Sequence, residues 1–147
     1  MNRMRTGILL FTLLILLLPT SALAAEGDVV RIDGKKGSAV ETLESLKKLV
    51  EQKGFTIIST YDLGDKDSIK QVIAFGKAKH NARILWHDPT ASLELPFRMA
   101  VIQYPSGVTE VIYRKPTSLR NTYRVEKCRL LDELDGVMLE MAQQAVQ

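Results

Sequence analysis

Cysteine is nearly missing from this sequence: of 147 residues only Cys128 carries a thiol. One cysteine cannot close an internal disulfide, so packing must supply the stability. Histidine is almost as scarce, with His80 and His87 the two examples. On a straight helix seven residues separate such a pair by about 10.5 Å. That is too far for both nitrogens to bind one ion at about 2 Å each. The pair therefore predicts no metal site, and no motif predicts a cofactor. Long apolar runs are lacking as well. The longest, Ile8 to Leu18, covers eleven residues with Thr12 among them, against roughly 20 for a bilayer-spanning helix.

That run sits where a secretory signal would place it. Arg3 and Arg5 precede it, Pro19-Thr20-Ser21 break it, and Ala22-Leu23-Ala24 fits the small-x-small cleavage pattern. The expectation is a signal peptide over residues 1–24 and a periplasmic or secreted mature chain with no membrane span. A retained anchor is the competing reading. An excess of one charge is lacking too. The 20 Lys and Arg face 17 Asp and Glu, and without Arg3 and Arg5 the balance is 18 to 17. A net of +1 is no footprint for a nucleic acid. There is also no repeat, nucleophile elbow or paired-carboxylate motif, so catalysis gains no support.

What is present is alternation and helical spacing. Residues 25–37 form an N-terminal segment in which Val29-Val30-Arg31-Ile32 reads as a first strand. Residues 38–147 form one domain. Ser38-Ala39-Val40-Glu41 is a capping-box signature. Val40, Leu43, Leu46 and Val50 follow at helical spacing until Gly54. Phe55 to Tyr61 and Ile69 to Phe75 are β-branched and aromatic strands, with a turn at Gly64-Asp65-Lys66-Asp67. Lys77 to Trp86 predicts a short helix. Phe97 to Tyr104 and Val108 to Arg114 pair across Pro105-Ser106-Gly107 as a hairpin. Leu131, Leu134, Met138, Met141 and Ala145 mark a last helix, weakened at Gly136 by up to about 1 kcal/mol relative to alanine. Its methionines read as core filler. The order β-α-β-β-α-β-β-α predicts an α+β two-layer domain, an antiparallel sheet of about five strands with helices packed on one side.

The segment from Phe75 to Pro116 resembles the domain-of-unknown-function 302 family. The resemblance rests on Phe75-Gly76, Asp88-Pro89, Leu93-Glu94-Leu95-Pro96 and Tyr113-Arg114-Lys115-Pro116. It extends over about residues 38 to 145. One departure stands out: many members carry Asn-Pro after the Phe-Gly, where this chain has Lys77-Ala78. The resemblance implies a compact α+β domain, often a homodimer, with no activity to transfer.

Between the two halves lies His87-Asp88-Pro89-Thr90-Ala91-Ser92-Leu93-Glu94-Leu95-Pro96-Phe97-Arg98. Its prolines fix backbone angles and push their predecessors toward extended geometry. Leu93, Leu95 and Phe97 alternate with polar neighbours, as a lead-in that sets strand register would. A ligand-lining loop is the alternative. Any pocket there would have Trp86, Leu93, Leu95 and Phe97 as walls, with Lys79, His80, His87 and Arg98 as polar reach. The helix start at Gly76 to His80, with Lys77, Lys79, His80 and Arg83, would suit a small anion or be a solvated basic face. Cys128 reads as a small hydrophobe. These features favour a non-enzymatic, exported module that binds a small anionic or amphipathic ligand, itself or an envelope protein. The rival is a small-molecule enzyme with its pocket in residues 76–98.

Overall fold

The computed structural model describes residues 27–34, 38–64 and 69–147. The signal segment expected over residues 1–24 lies outside them, as do most of the turns at 34–37 and 64–67. The elements run β1 (Val29–Asp33), α1 (Ala39–Gln52), β2 (Thr56–Asp62), β3 (Ile69–Gly76), α2 (Ala78–His87), β4 (Phe97–Gln103), β5 (Thr109–Arg114) and α3 (Leu130–Ala145). Two 3₁₀ segments, Pro89–Glu94 and Pro116–Asn121, occupy stretches expected to be irregular. Each is six residues long, about two turns of such helix, too short to leave a periodic trace in a sequence.

The order within the sheet is β1-β5-β4-β3-β2, with every neighbour antiparallel. The fold is α+β, a five-stranded antiparallel sheet with helices on one side. Cross-strand partners share a face, so the register defines the core directly. Val30, Tyr113, Met99 and Ile73 form one row toward the helices, and Ile32, Val111 and Val101 form the next. Phe97, Phe75 and Ile57 make a third. Onto these rows α1 lays Leu43, Leu46 and Val50, and α3 lays Leu131, Leu134, Met138, Met141 and Ala145. All five apolar positions expected on the last helix are buried. Cys128 is buried as well.

The opposite face mixes aliphatic and aromatic side chains with charges. Arg31, Ile112, Ala100, Val72 and Tyr61 share one row, and Asp33, Glu110, Ile102 and Lys70 another. At the outer edge β2 is mostly exposed and carries Ile58, Tyr61 and then Leu63 toward solvent.

Both ends of α1 follow from local chemistry. The Glu41 amide donates to Ser38 Oγ at 3.4 Å, which makes the forward half of the expected capping box. We expect Ser38→Ala to lower stability by about 0.5–1 kcal/mol, the low end of the N-cap range because the site is exposed. Urea denaturation that finds no loss would leave this hydroxyl without a capping role. At the other end Gly54 takes φ +76°. The Gly54 amide donates to the Glu51 carbonyl at 2.8 Å and the Phe55 amide to that of Val50 at 3.1 Å. These two bonds are a Schellman closure, and they deliver Phe55 into the core. Gly107, at φ +82°, closes the β4–β5 hairpin, where the Gly107 amide donates to the Tyr104 carbonyl.

Candidate functional site

The stretch from His87 to Arg98 is pinned at both ends. Asp88 caps the first 3₁₀ segment, accepting from the Thr90 amide at 3.0 Å and the Thr90 hydroxyl at 2.6 Å. Its second oxygen accepts from the Arg124 amide at 2.9 Å. These bonds hold its carboxyl below the usual aspartate range, with the Thr90 hydroxyl the largest cause. Farther along, the Tyr123 hydroxyl donates to Glu94 at 3.2 Å. The chain then passes a cis Leu95–Pro96 bond into β4. Two polar ties to residues 123 and 124 thus fix the lead-in to the segment before α3.

Where this lead-in meets the ends of the hairpin strands, a cleft of about 150 Å³ opens. It is lined by Glu94, Phe97, Arg98, Arg114, Lys115 and Leu119. Phe97 and Leu119 are buried and form the apolar floor. Arg98 and Arg114 come from adjacent strands. The register that sets Met99 opposite Tyr113, counted one residue outward, places the two arginines side by side on the uncovered face. Arg114 Nη1 lies 3.6 Å from Glu94 Oε2. The Arg98 side chain has no ion pair or hydrogen bond among the described residues. A smaller polar recess adjoins, sharing Glu94, Arg114 and Leu119 and adding Asp28, Asn121 and Tyr123.

The residues singled out in the sequence divide among several places. Phe97 and Arg98 line the cleft. Leu95 packs against the core. Trp86 and Leu93 are 81% and 79% exposed and stand outside the lining. His87 makes an edge-to-face contact with the Trp86 ring at 5.0 Å between centroids. Lys79 is exposed on α2.

His80 turns inward, edge-on to Phe55 at 5.6 Å. Burial, and then the nearby Lys77, push its imidazole below the ordinary histidine value. At neutral pH the ring is uncharged, so it adds no cation to the helix start. Lys77 itself reaches away from that helix. Its ammonium donates to the Lys53 carbonyl at 3.2 Å and sits 4.9 Å from the centre of the Phe55 ring. Here the residue that departs from the family's Asn-Pro turn closes the C-terminus of α1, where a cation suits the helix dipole.

The cleft residues Glu94, Arg114, Lys115 and Leu119 were absent from the set read in the sequence. Arg114 was within reach of that reading. A hairpin closed at Pro105-Ser106-Gly107 brings Arg98 and Arg114 together once its register is counted. Leu119 and Lys115 carry no such signal, because a 3₁₀ segment and a chain reversal deliver them.

The fold and site define a class: a small α+β domain with a cationic cleft at one end of an antiparallel sheet. A family model described as "Domain of unknown function DUF302" matches residues 33–141, and the chain belongs to that family. Among solved structures, the chain is similar to the "uncharacterized conserved protein DUF302 from Bacillus stearothermophilus". The two share 19% identity over 81% of this chain and 95% of that one, with a TM-score of 0.61. This likeness shows the shared fold. No curated protein matches the chain.

Proposed function

We propose that this domain is an exported, non-enzymatic module that holds a small anion, a carboxylate or phosphate group, in the cleft between Arg98 and Arg114. The observation that carries the reading is the placement of these two arginines. Like charges side by side on neighbouring strands destabilise a sheet, yet here a single carboxylate, Glu94, stands against the two arginines, Arg98 and Arg114, in the lining. An anion would offset that repulsion, and guanidinium groups suit planar, two-toothed contact with carboxylate or phosphate oxygens. The size agrees. A volume of about 150 Å³ corresponds to about five waters at roughly 30 Å³ each, enough for one charged group but not for a nucleotide. The buried pair Phe97 and Leu119 would take a short apolar part of the same ligand. Export is supported by the Arg3 to Ala24 pattern.

The test is a titration with inorganic phosphate and with succinate, followed by amide chemical shifts. Residues 97–98, 114–115 and 119 should move together. Arg98→Glu should weaken binding at least tenfold and change stability by less than about 0.5 kcal/mol, as substitution of an exposed, unpaired side chain does. Shifts scattered over the surface, or equal affinity in Arg98→Glu, would remove the cleft as the site. Native mass spectra of protein recovered from the periplasm report the mature N-terminus and any retained anion together.

A further inference from the structure

Trp86 and Leu93 are the two most exposed large hydrophobic side chains among the described residues. Scattered apolar groups on a surface are ordinary. A tryptophan this open to water is not, because its ring carries a large apolar area. Neither residue lines the arginine cleft or the polar recess beside it. They project from the protein rather than cradle anything. The helix α2 and the 3₁₀ segment that holds Leu93 pack against each other, so both projections belong to one corner of the molecule.

Local structure turns them outward. On α2, Ile84 is fully buried, Leu85 packs against the core and His80 meets Phe55. Helical spacing then gathers Lys79, Ala82, Arg83 and Trp86 on the other side, and all four are exposed. In the 3₁₀ segment Ala91 is buried, and Leu95 at its end packs against the core. The apolar needs of this region are met without Trp86 or Leu93. The charge around them is of one sign. From Lys77 to Leu93 the only acidic side chain is Asp88, and it is spent on Thr90 and Arg124. The next, Glu94, is tied to Tyr123 and Arg114. The side chains of Lys79 and Arg83 have no ion pair or hydrogen bond among the described residues. Arg124, fastened by its amide to Asp88, adds a third exposed cation. Glu126, two residues on, is outnumbered by Arg124, Lys127 and Arg129.

We infer that this corner docks on the surface of an anionic lipid bilayer. The Trp86 ring and the Leu93 side chain enter the boundary between headgroups and acyl chains, while Lys79, Arg83 and Arg124 meet lipid phosphates. An indole suits that boundary, since its body is apolar and its N–H finds a wet acceptor. Basic side chains near the surface gain from its negative potential, which salt screens. A bilayer accepts projecting side chains without a preformed groove, and the free cations beside them select an anionic one. Attachment through two side chains is peripheral and reversible. The inference does not rest on the arginine cleft.

Trp86 is the only tryptophan in the chain, so its fluorescence reports this corner alone. The mature protein is titrated with vesicles of equal parts phosphatidylglycerol and phosphatidylcholine, and with phosphatidylcholine alone. Anionic vesicles should shift the emission to the blue and protect the ring from acrylamide. Neutral vesicles should bind at least tenfold more weakly, and added salt should bring the anionic ones toward that level. In vesicle sedimentation Trp86→Ala should weaken binding at least tenfold and Leu93→Ser severalfold. Both should melt like the wild type, because these side chains already lie in water. Lys79→Glu combined with Arg83→Glu should abolish the preference for anionic vesicles, and Arg98→Glu should bind them like the wild type. Unchanged emission on anionic vesicles overturns the proposal, as does equal binding to neutral ones or undiminished binding by Trp86→Ala. Loss of binding in Arg98→Glu overturns it too, since headgroups would then be entering the arginine cleft. So does a blue shift that grows with protein concentration in the absence of lipid, because a second copy would then cover Trp86.

Discussion

Phe75→Ala should lower the stability of the domain by about 3–5 kcal/mol, the range for removing a buried aromatic ring. Phe75 lies in β3, the strand between β2 and β4, and is fully buried. It pairs with Phe97 on one side and Ile57 on the other. Its ring meets Phe55 edge to face, 5.5 Å between centroids and 84° between planes. Phe55 in turn is delivered by the closure of α1, so the lost ring removes one of the contacts that join the first helix to the sheet. Surrounding residues are held by strand pairing and cannot collapse into the space. Small domains are stable by only about 5–15 kcal/mol, so the variant should sit near the edge of folding at 37 °C. Chemical denaturation measures this directly. A loss under about 1 kcal/mol would show that the ring is not part of the core as described.

The second large effect is expected from Asp88→Asn. The aspartate satisfies two backbone amides, those of Thr90 and Arg124, and the Thr90 hydroxyl. An asparagine retains one acceptor oxygen and turns an NH₂ toward donors, so at least one partly buried amide loses its partner, which costs part of the desolvation of that group. The lead-in to β4 would loosen from the Arg124 segment, and the floor of the cleft with it.

The pH dependence separates this role from a simple loss of packing. The folded pKa of Asp88 is lowered relative to an unfolded value of about 4. Its contribution is therefore complete above about pH 4 and is lost as pH falls through the folded value. The wild-type protein should melt well above the variant at pH 7. The gap should narrow steadily in acid and close once Asp88 is protonated in the folded state. A gap constant from pH 7 to pH 3 would mean that the carboxylate charge is not what holds the loop.

Much of the architecture is written in short stretches of the chain. The first helix is bounded by Ser38 and Gly54, and Leu43, Leu46 and Val50 show which side faces inward, although Val40, read into the same stripe, is exposed and Ala39 is buried in its place. The last helix follows from Leu131, Leu134, Met138, Met141 and Ala145, all of which the core takes up. The hairpin follows from the alternation on either side of Pro105-Ser106-Gly107. These features depend on residues within a turn or two of one another, where propensity, capping and side-chain period act before any long-range contact forms. The family resemblance rests on the same local signals. Even the His87-to-Arg98 stretch was legible as a stiff lead-in from its prolines, though the 3₁₀ turn within it was not.

What the sequence could not decide is what lies beside what. Nothing local places β1 next to β5 rather than beside β2, and it is that pairing which sets Val30 across from Tyr113 in the core row. Lys77 looks like part of a basic helix start. Only its nearness to Lys53 and Phe55, across 24 residues, makes it the cap of another helix. Arg98 and Arg114 each read as an exposed charge ending or beginning a strand. Their convergence above Phe97 and Leu119 needs the antiparallel register and the chain reversal after Pro116. A site made of such long-range neighbours is a property of the closed core, because each side chain is held in place by packing that no single stretch of sequence contains.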